Sequence, residues 1–287
     1  MSTISAPLKV AGVIGWPVSH SLSPKLHAHW LREYVVGGLY VPVAVRKEDF
    51  SPVVRTLWQA GFVGVNVTLP HKQAAFAVAH DHDDAALASR SANLLRFGDD
   101  GRIAARNTDT SGFQASVIDA VGPEAFKGAA AVVLGAGGAA RSVVLALDQL
   151  GTASIRILNR SRPRAESLIS ELAPRTKARL ELVQESDWSN VASAAALLVN
   201  ATSAGLNGEM PLALSLGPLP SACVVCDLVY NPFETEFLKE ARRRGLRTID
   251  GLGMLMHQAV PSFAAFYGIT PQVTPALRRE LERALQR

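Results

Sequence analysis

Ala129-Ala130-Ala131-Val132-Val133-Leu134-Gly135-Ala136-Gly137-Gly138-Ala139-Ala140 sets an apolar run, a glycine turn and a helix-forming stretch in direct succession. The run reads as a buried strand, Ala139 to Leu150 as a helix and Ser154 to Asn159 as the next strand, which makes one βαβ unit. The turn is G-x-G-x-x-A, in which glycines let the backbone approach a pyrophosphate at a helix N-terminus. Glycine-rich turns that bind nothing share this pattern, so the next strand has to name the ligand. An NAD site places Asp or Glu at that strand's end, about 20 residues on, to hold the ribose hydroxyls. Here the end reads Asn159-Arg160-Ser161-Arg162-Pro163-Arg164, with three guanidiniums and no acid. Their charge and fork geometry suit the 2′-phosphate of NADP. A solvated basic loop is the plainer reading of the arginines, but it does not account for the missing acid.

Outward from this unit, Leu197 to Asn200, Cys223 to Val229 and Arg247 to Ile249 are further apolar strands, so 109–251 is expected to form a parallel, doubly wound, Rossmann-type sheet. The first half alternates too. Leu8 to Ile14, Leu39 to Val45, Phe62 to Val67 and Ala92 to Phe97 read as strands, with helices starting at Pro24 and Lys47. Gly98 to Gly101 reads as a hairpin turn returning the chain through Arg102 to Arg106. Met254 to Tyr267 and Pro275 to Gln286 are helical by periodicity and are expected to pack back on the first half. The fold class is therefore α/β with two α/β domains: 1–108, completed by 252–287, and 109–251.

The bulk composition agrees with two globular domains: 287 residues, 48% hydrophobic and 19% charged. The net charge of +4 is spread, and the three-residue basic run Arg242-Arg243-Arg244 reads as the solvated face of a helix, so no nucleic-acid partner is expected. No segment is apolar over a membrane-spanning length and the first fifteen residues lack a cleavable leader pattern, so a cytoplasmic location without a membrane partner is expected. Cys223 and Cys226 form C-x-x-C within a strand-like run, where positions three apart face opposite ways, which argues against a redox or zinc pair. The histidines are too scattered for a metal site, and none is expected.

Three further segments carry polar chemistry at strand ends. In Ser21-Leu22-Ser23-Pro24, Ser23 reads as the N-cap of a helix with Pro24 at its first position, and the same geometry aims amides and hydroxyls at any carboxylate bound there. In Asn66-Val67-Thr68-Leu69-Pro70-His71-Lys72 a turn delivers Lys72 to the same sheet edge. In Asn107-Thr108-Asp109 the aspartate reads equally as a helix N-cap and as a functional group.

Taken in order, the S-x-S-P entry, N-V-T-x-P-x-K, N-T-D, G-A-G-G-A, N-R-S-x-x-R, N-A-T-S-x-G at Asn200 to Gly205, Asp227 to Pro232 and Gly251 to Gln258 resemble the shikimate dehydrogenase family over nearly the whole chain. The resemblance implies NADPH-dependent, reversible reduction of 3-dehydroshikimate to shikimate, a step toward chorismate and the aromatic amino acids. It implies that Ser21 and Ser23 hold the substrate carboxylate, that Thr68, Asn93, Tyr230 and Gln258 line the ring, and that Lys72 and Asp109 are the catalytic pair. NADP falls to Gly135, Ala136, Gly137, Gly138, Ala139, Asn159, Arg160, Ser161, Arg164, Thr202, Ser203, Leu228 and Gly251, with Asp84 near the nicotinamide. Lys72 is then the proton donor and local positive charge for the developing alkoxide, with Asp109 orienting it.

Two positions depart from the family pattern. Arg90-Ser91-Ala92-Asn93-Leu94 stands where Gly-Ala-x-Asn-Thr is usual, and Thr110 replaces the glycine after N-T-D. Both flank substrate-facing positions, so quinate or an aminated shikimate remains an alternative ring. A non-catalytic sensor of NADP or shikimate-like ligands is the rival from another class; retention of both Lys72 and Asp109 argues against it. A monomer or a homodimer fits equally.

Overall fold

The computed structural model describes residues 8–206, 210 and 212–286. By internal contacts the chain divides into two units, residues up to 108 with 258–284, and residues 109–257 with the end of the chain.

The first unit runs β1 (Lys9–Gly15), α1 (Ser23–Glu33), β2 (Gly38–Ala44), α2 (Phe50–Gln59), β3 (Phe62–Val67), α3 (Lys72–Val78), β4 (Asp81–His82), α4 (Asp84–Ser89), β5 (Leu94–Phe97) and β6 (Ile103–Arg106). Its sheet has the order β2-β1-β3-β5-β6-β4. β1 pairs in parallel with β2 and β3, and β5 and β6 form the antiparallel hairpin about Gly98 to Gly101. Residues 11–15 of β1 are buried without alternation, as in a strand covered on both faces. Ile14, Val65, Val67, Phe50, Leu95 and Phe97 lead one apolar core.

The second unit begins with α5 (Asp109–Val121) and continues β7 (Ala130–Leu134), α6 (Gly138–Gln149), β8 (Ser154–Leu158), α7 (Arg162–Leu172), β9 (Arg179–Val183), α8 (Trp188–Ser193), β10 (Leu197–Asn200), β11 (Val224–Asp227), α9 (Glu236–Arg243) and β12 (Arg247–Ile249). The sheet order is β12-β11-β10-β7-β8-β9 and every pairing is parallel, the Rossmann arrangement with its reversal between β7 and β10. Arg242, Arg243 and Arg244 are exposed at the end of α9, on the solvated face expected of them. Among the described residues no helix is long and apolar enough to cross a membrane.

α10 (Gly251–Tyr267) and α11 (Pro275–Leu285) close the chain. Phe263, Phe266 and Tyr267 pack around Trp30, His27 and Tyr40, Trp30 Nε1 donates to the Gln272 carbonyl at 3.0 Å, and Glu280 pairs with Arg32 at 2.8 Å. From Gln258 to Ala284 these helices pack within the first unit. The opening turns of α10 pack elsewhere, His257 Nε2 meeting Asp119 Oδ2 at 2.8 Å in the second unit.

Several strands differ from expectation, three of them for a physical reason. β4, two residues long, is too short to show a period. β9, Arg-Leu-Glu-Leu-Val, escapes a search for apolar runs because it is an edge strand blunted by charge, with Glu181 Oε2 taking Arg156 of β8 at 3.2 Å. β11 stops at Asp227 rather than Val229, because the Asp227 carboxylate takes the Val229 amide at 3.0 Å and ends the ladder. Both cysteines are buried and free. Burial pushes the Cys223 thiol up to about 11, and burial with the nearby Asp227 and Asp250 carboxylates raises Cys226 well above the usual thiol value, so neither is a reactive thiolate.

Candidate active site

In the first unit, the chain leaves β1 and β3 side by side. Gly15 ends β1 as glycine because a Cβ there would stand 2.5 Å from Thr68 Cγ2, while the Thr68 amide donates to the Ile14 carbonyl at 2.8 Å. Ser23 is not the N-cap: it is already the first residue of α1, Leu22 holds the cap position, and no side chain caps the helix. Instead the Ser21 hydroxyl accepts from the Ser23 amide at 3.3 Å, which bends the segment so that the two serines sit at the same helix start. His71 is buried, stacked on Phe50 with centroids 4.8 Å apart and bonded through Nε2 to the Val45 carbonyl at 2.8 Å; it is structural and fixes where α3 begins, on Lys72.

The backbone ties Lys72 to the Asn93 loop: the Ala92 amide donates to the Lys72 carbonyl at 2.9 Å, and the Asn93 carbonyl accepts from the Val67 amide at 2.8 Å and from Asn66 Nδ2 at 3.0 Å. The Asn93 side chain is buried and shared. Its Oδ1 accepts from the Thr108 amide at 2.7 Å, while Nδ2 donates to Thr108 Oγ1 at 2.9 Å and Gln258 Oε1 at 3.1 Å. Asn93 and Gln258, 165 positions apart, thus meet over Thr108, whose hydroxyl also donates to the Gln258 carbonyl at 2.8 Å. Sequence reading passed over Thr108 and Asn66 as members of this group.

The departures from the family pattern acquire a physical meaning. Arg90 caps α4 at φ 49° and ψ 36°, the left-handed region that favours glycine. Ser91 is fully buried, and its hydroxyl joins Ser89 Oγ at 3.2 Å and Asn107 Nδ2 at 3.1 Å, so it is absorbed by an internal network. Asp83 caps α4 through the Ala86 amide at 2.8 Å, which leaves its neighbour Asp84 exposed.

In the second unit, Asp109 is the first residue of α5 rather than its cap, and it is buried. Next to it the Thr110 hydroxyl is buried without a hydrogen-bond partner among the described residues. Gly135 turns the chain at φ 112°, and a Cβ there would press on the Ala201 carbonyl oxygen at 3.0 Å and Thr202 Cγ2 at 3.1 Å. Gly137 caps α6 with nothing within 4 Å of an added Cβ, an open approach to the helix amides. Ala136, Gly138 and Ala139 flank it, partly exposed. At the end of β8, Asn159 Nδ2 donates to the Ser161 carbonyl at 2.7 Å. Arg162 is engaged by Glu166 at 2.7 Å, whereas Arg160 and Arg164 are exposed and have no carboxylate partner among the described residues. These features fit NADP: open amides for the pyrophosphate, two available guanidiniums and no acid.

The far wall holds what sequence reading missed. Asn200, Asp227 and Thr235 are buried and hydrogen-bonded to one another beside Thr202, Ser203 and Leu228. The available signal was a polar residue closing each of two wholly apolar strands. Gly251 starts α10 as glycine because a Cβ would stand 2.2 Å from the Leu228 carbonyl oxygen, and Tyr230 follows β11, half-buried.

The parallel sheet with its glycine turn at the reversal makes the second unit a dinucleotide-binding α/β fold. Residues 13–95 match the shikimate dehydrogenase substrate binding domain, and 119–207 match shikimate / quinate 5-dehydrogenase. A shikimate dehydrogenase (NADP(+)) of Methylobacterium radiotolerans is 46% identical over 274 residues, 93% of this chain and 94% of its own. The crystal structure of shikimate 5-dehydrogenase from Thermus thermophilus in complex with NADP(H) and shikimate aligns with TM-score 0.83 at 34% identity, covering 96% of this chain and 99% of that one. Quinate dehydrogenase from Corynebacterium glutamicum in complex with NAD aligns with TM-score 0.86 at 28% identity, covering 98% and 100%. The chain belongs to the shikimate dehydrogenase family.

Proposed function

We propose that this protein reduces 3-dehydroshikimate to shikimate, reversibly, with NADPH. The relationship to a shikimate dehydrogenase along 93% of the chain carries this reading. The choice of NADP over NAD has its own local support in Arg160 and Arg164 beside a strand end that lacks an acid.

When bound, NADPH supplies hydride to the ring carbonyl. The oxygen left behind gathers negative charge and needs a proton, and Lys72 offers both an ammonium charge and that proton. Asp109 accepts from the neighbouring ring hydroxyl. Ser21 and Ser23 hold the carboxylate at the start of α1, where backbone amides favour an anion. Thr68, Asn93, Tyr230 and Gln258 read the ring; Asn93 and Gln258 are held by Thr108, so little reorganisation accompanies binding. In this reading 1–108, completed by 252–287, binds the ring substrate, and 109–251 binds NADP through the glycine turn, the β8 arginines and the far wall, with Asp84 near the nicotinamide. The enzyme works in the cytoplasm on a small molecule, as a monomer or homodimer, without nucleic acid or membrane.

Following NADPH absorbance while purified protein is offered 3-dehydroshikimate and 3-dehydroquinate tests the reading. Turnover of the first at the higher kcat/KM supports it. Preference for the second transfers the assignment to quinate, and NADPH binding without turnover of either marks a sensor.

A further inference from the structure

We propose that Asp227 is a positioning residue for the dinucleotide site, acting through Asn200 to hold the Thr202 turn against the glycine turn that follows β7. The proposal rests on the reading that the second unit binds NADP.

Asp227 is fully buried at the end of β11, and three donors converge on it: Asn200 Nδ2 at 2.8 Å, the Val229 amide at 3.0 Å and Thr235 Oγ1 at 2.6 Å. This commits the Asn200 side chain to one orientation. Its NH2 faces the carboxylate, so its oxygen faces the following residues, where it accepts from the Thr202 amide at 3.1 Å and from Thr202 Oγ1 at 2.7 Å. Thr202 Oγ1 then accepts from the Ala204 amide at 3.1 Å. A carboxylate can only accept, so it forces this direction along the chain of bonds; without it the amide is free to flip and present a donor to Thr202. Thr202 Cγ2 and the Ala201 carbonyl are the atoms that crowd Gly135, so a shift of the Thr202 turn moves the wall of the glycine turn itself.

The same carboxylate shapes a second edge. The Leu228 amide continues the β10–β11 ladder to the Asn200 carbonyl at 3.0 Å, and at the next residue the carboxylate takes the Val229 amide, which leaves the Leu228 carbonyl close against Gly251. One buried acid thus bonds both the side chain that ends β10 and the turn that follows β11, beside the proposed cofactor residues Thr202, Ser203 and Leu228. Burial raises its pKa to about 6, the donors of Thr235, Val229 and Asn200 opposing the rise. Apolar side chains in such a place often stabilise a fold at least as well as a buried charge, so retention of the charge points to geometry rather than stability.

The test is the dissociation constant of NADPH, read by its fluorescence in the absence of ring substrate, with both KM values and the melting temperature alongside. Asp227→Ala is expected to weaken NADPH by about tenfold or more, the scale of one broken buried hydrogen-bond link, while the KM for ring substrate at saturating cofactor stays unchanged. Asp227→Asn is expected to restore NADPH affinity, because its oxygen still accepts from Asn200 and Val229 while the Thr235 hydroxyl reverses. Asn200→Ala cuts the link and leaves the carboxylate, and is expected to show the same cofactor-specific loss. A folded Asp227→Ala or Asn200→Ala protein that binds NADPH as wild type does overturns the proposal, as does a parallel rise in both KM values, the mark of a merely structural role. Wild-type binding of NADPH without turnover of 3-dehydroshikimate sinks the proposed reaction and leaves this inference standing.

Discussion

His27 should make the first unit acid-sensitive, and the size of the effect follows from its surroundings. The ring is fully buried, stacked on Tyr40 with centroids 3.8 Å apart and bordered by Trp30, Phe263, Phe266 and Tyr267, and neither ring nitrogen has a hydrogen-bond partner among the described residues. Burial alone lowers its pKa from 6.5 to about 3. The folded state therefore keeps the ring neutral while the unfolded chain takes up a proton below pH 6.5. Above that pH neither state is charged and His27 contributes no pH dependence. Below it, stability falls as pH falls, by about 1.4 kcal/mol per pH unit, until the folded ring titrates as well. Over the two units from pH 6 to pH 4 the loss attributable to this ring is about 2–3 kcal/mol. His27→Phe keeps an aromatic face against Tyr40 and removes the proton site. The larger ring is expected to cost about 1 kcal/mol at pH 8 through overpacking, but the acid limb should flatten. Urea titrations between pH 8 and pH 4, followed by tryptophan fluorescence, report chiefly on this unit, since Trp16, Trp30 and Trp58 lie in it and Trp188 alone in the other. Wild type and His27→Phe losing stability in parallel through that range would refute the reasoning.

Lys72→Ala should lower kcat by about a hundredfold to ten-thousandfold, the contribution of a positioned acid with its charge, and leave NADPH affinity intact; single-turnover NADPH oxidation near the wild-type rate would overturn the catalytic assignment. Arg160→Glu should erode the preference for NADP over NAD by about tenfold or more, seen as a ratio of kcat/KM values, because a charge-assisted contact to the 2′-phosphate becomes a repulsion. Arg90→Gly should raise stability by about 0.5–1 kcal/mol in thermal melts, since only glycine adopts the left-handed cap of α4 without strain; an unchanged or lower Tm contradicts it.

What sequence alone determined is local. The glycine turn between β7 and α6, the parallel strands around it, the hairpin about Gly98 to Gly101 and the terminal helices were legible because their signals are short-range: glycine's tolerance of φ 112° at Gly135, unbroken apolar runs in strands covered on both faces, and the 3.6-residue period of amphipathic helices. The arginines after β8 were legible for the same reason, as charge placed at a position whose geometry the motif already defines. The proposed site residues were named by ordered resemblance, which carries the long-range arrangement that no local pattern holds. Tertiary structure decided which polar atoms share a partner. Whether Ser23 caps a helix depends on where the chain bends, and Ser21 makes that bend. Asn93, Thr108 and Gln258, like Asn200, Asp227 and Thr235, become groups only when strands and helices far apart in sequence are packed. A buried amide or carboxylate must then find its partners among whatever the fold brings within hydrogen-bond distance, and that list is a property of three-dimensional proximity.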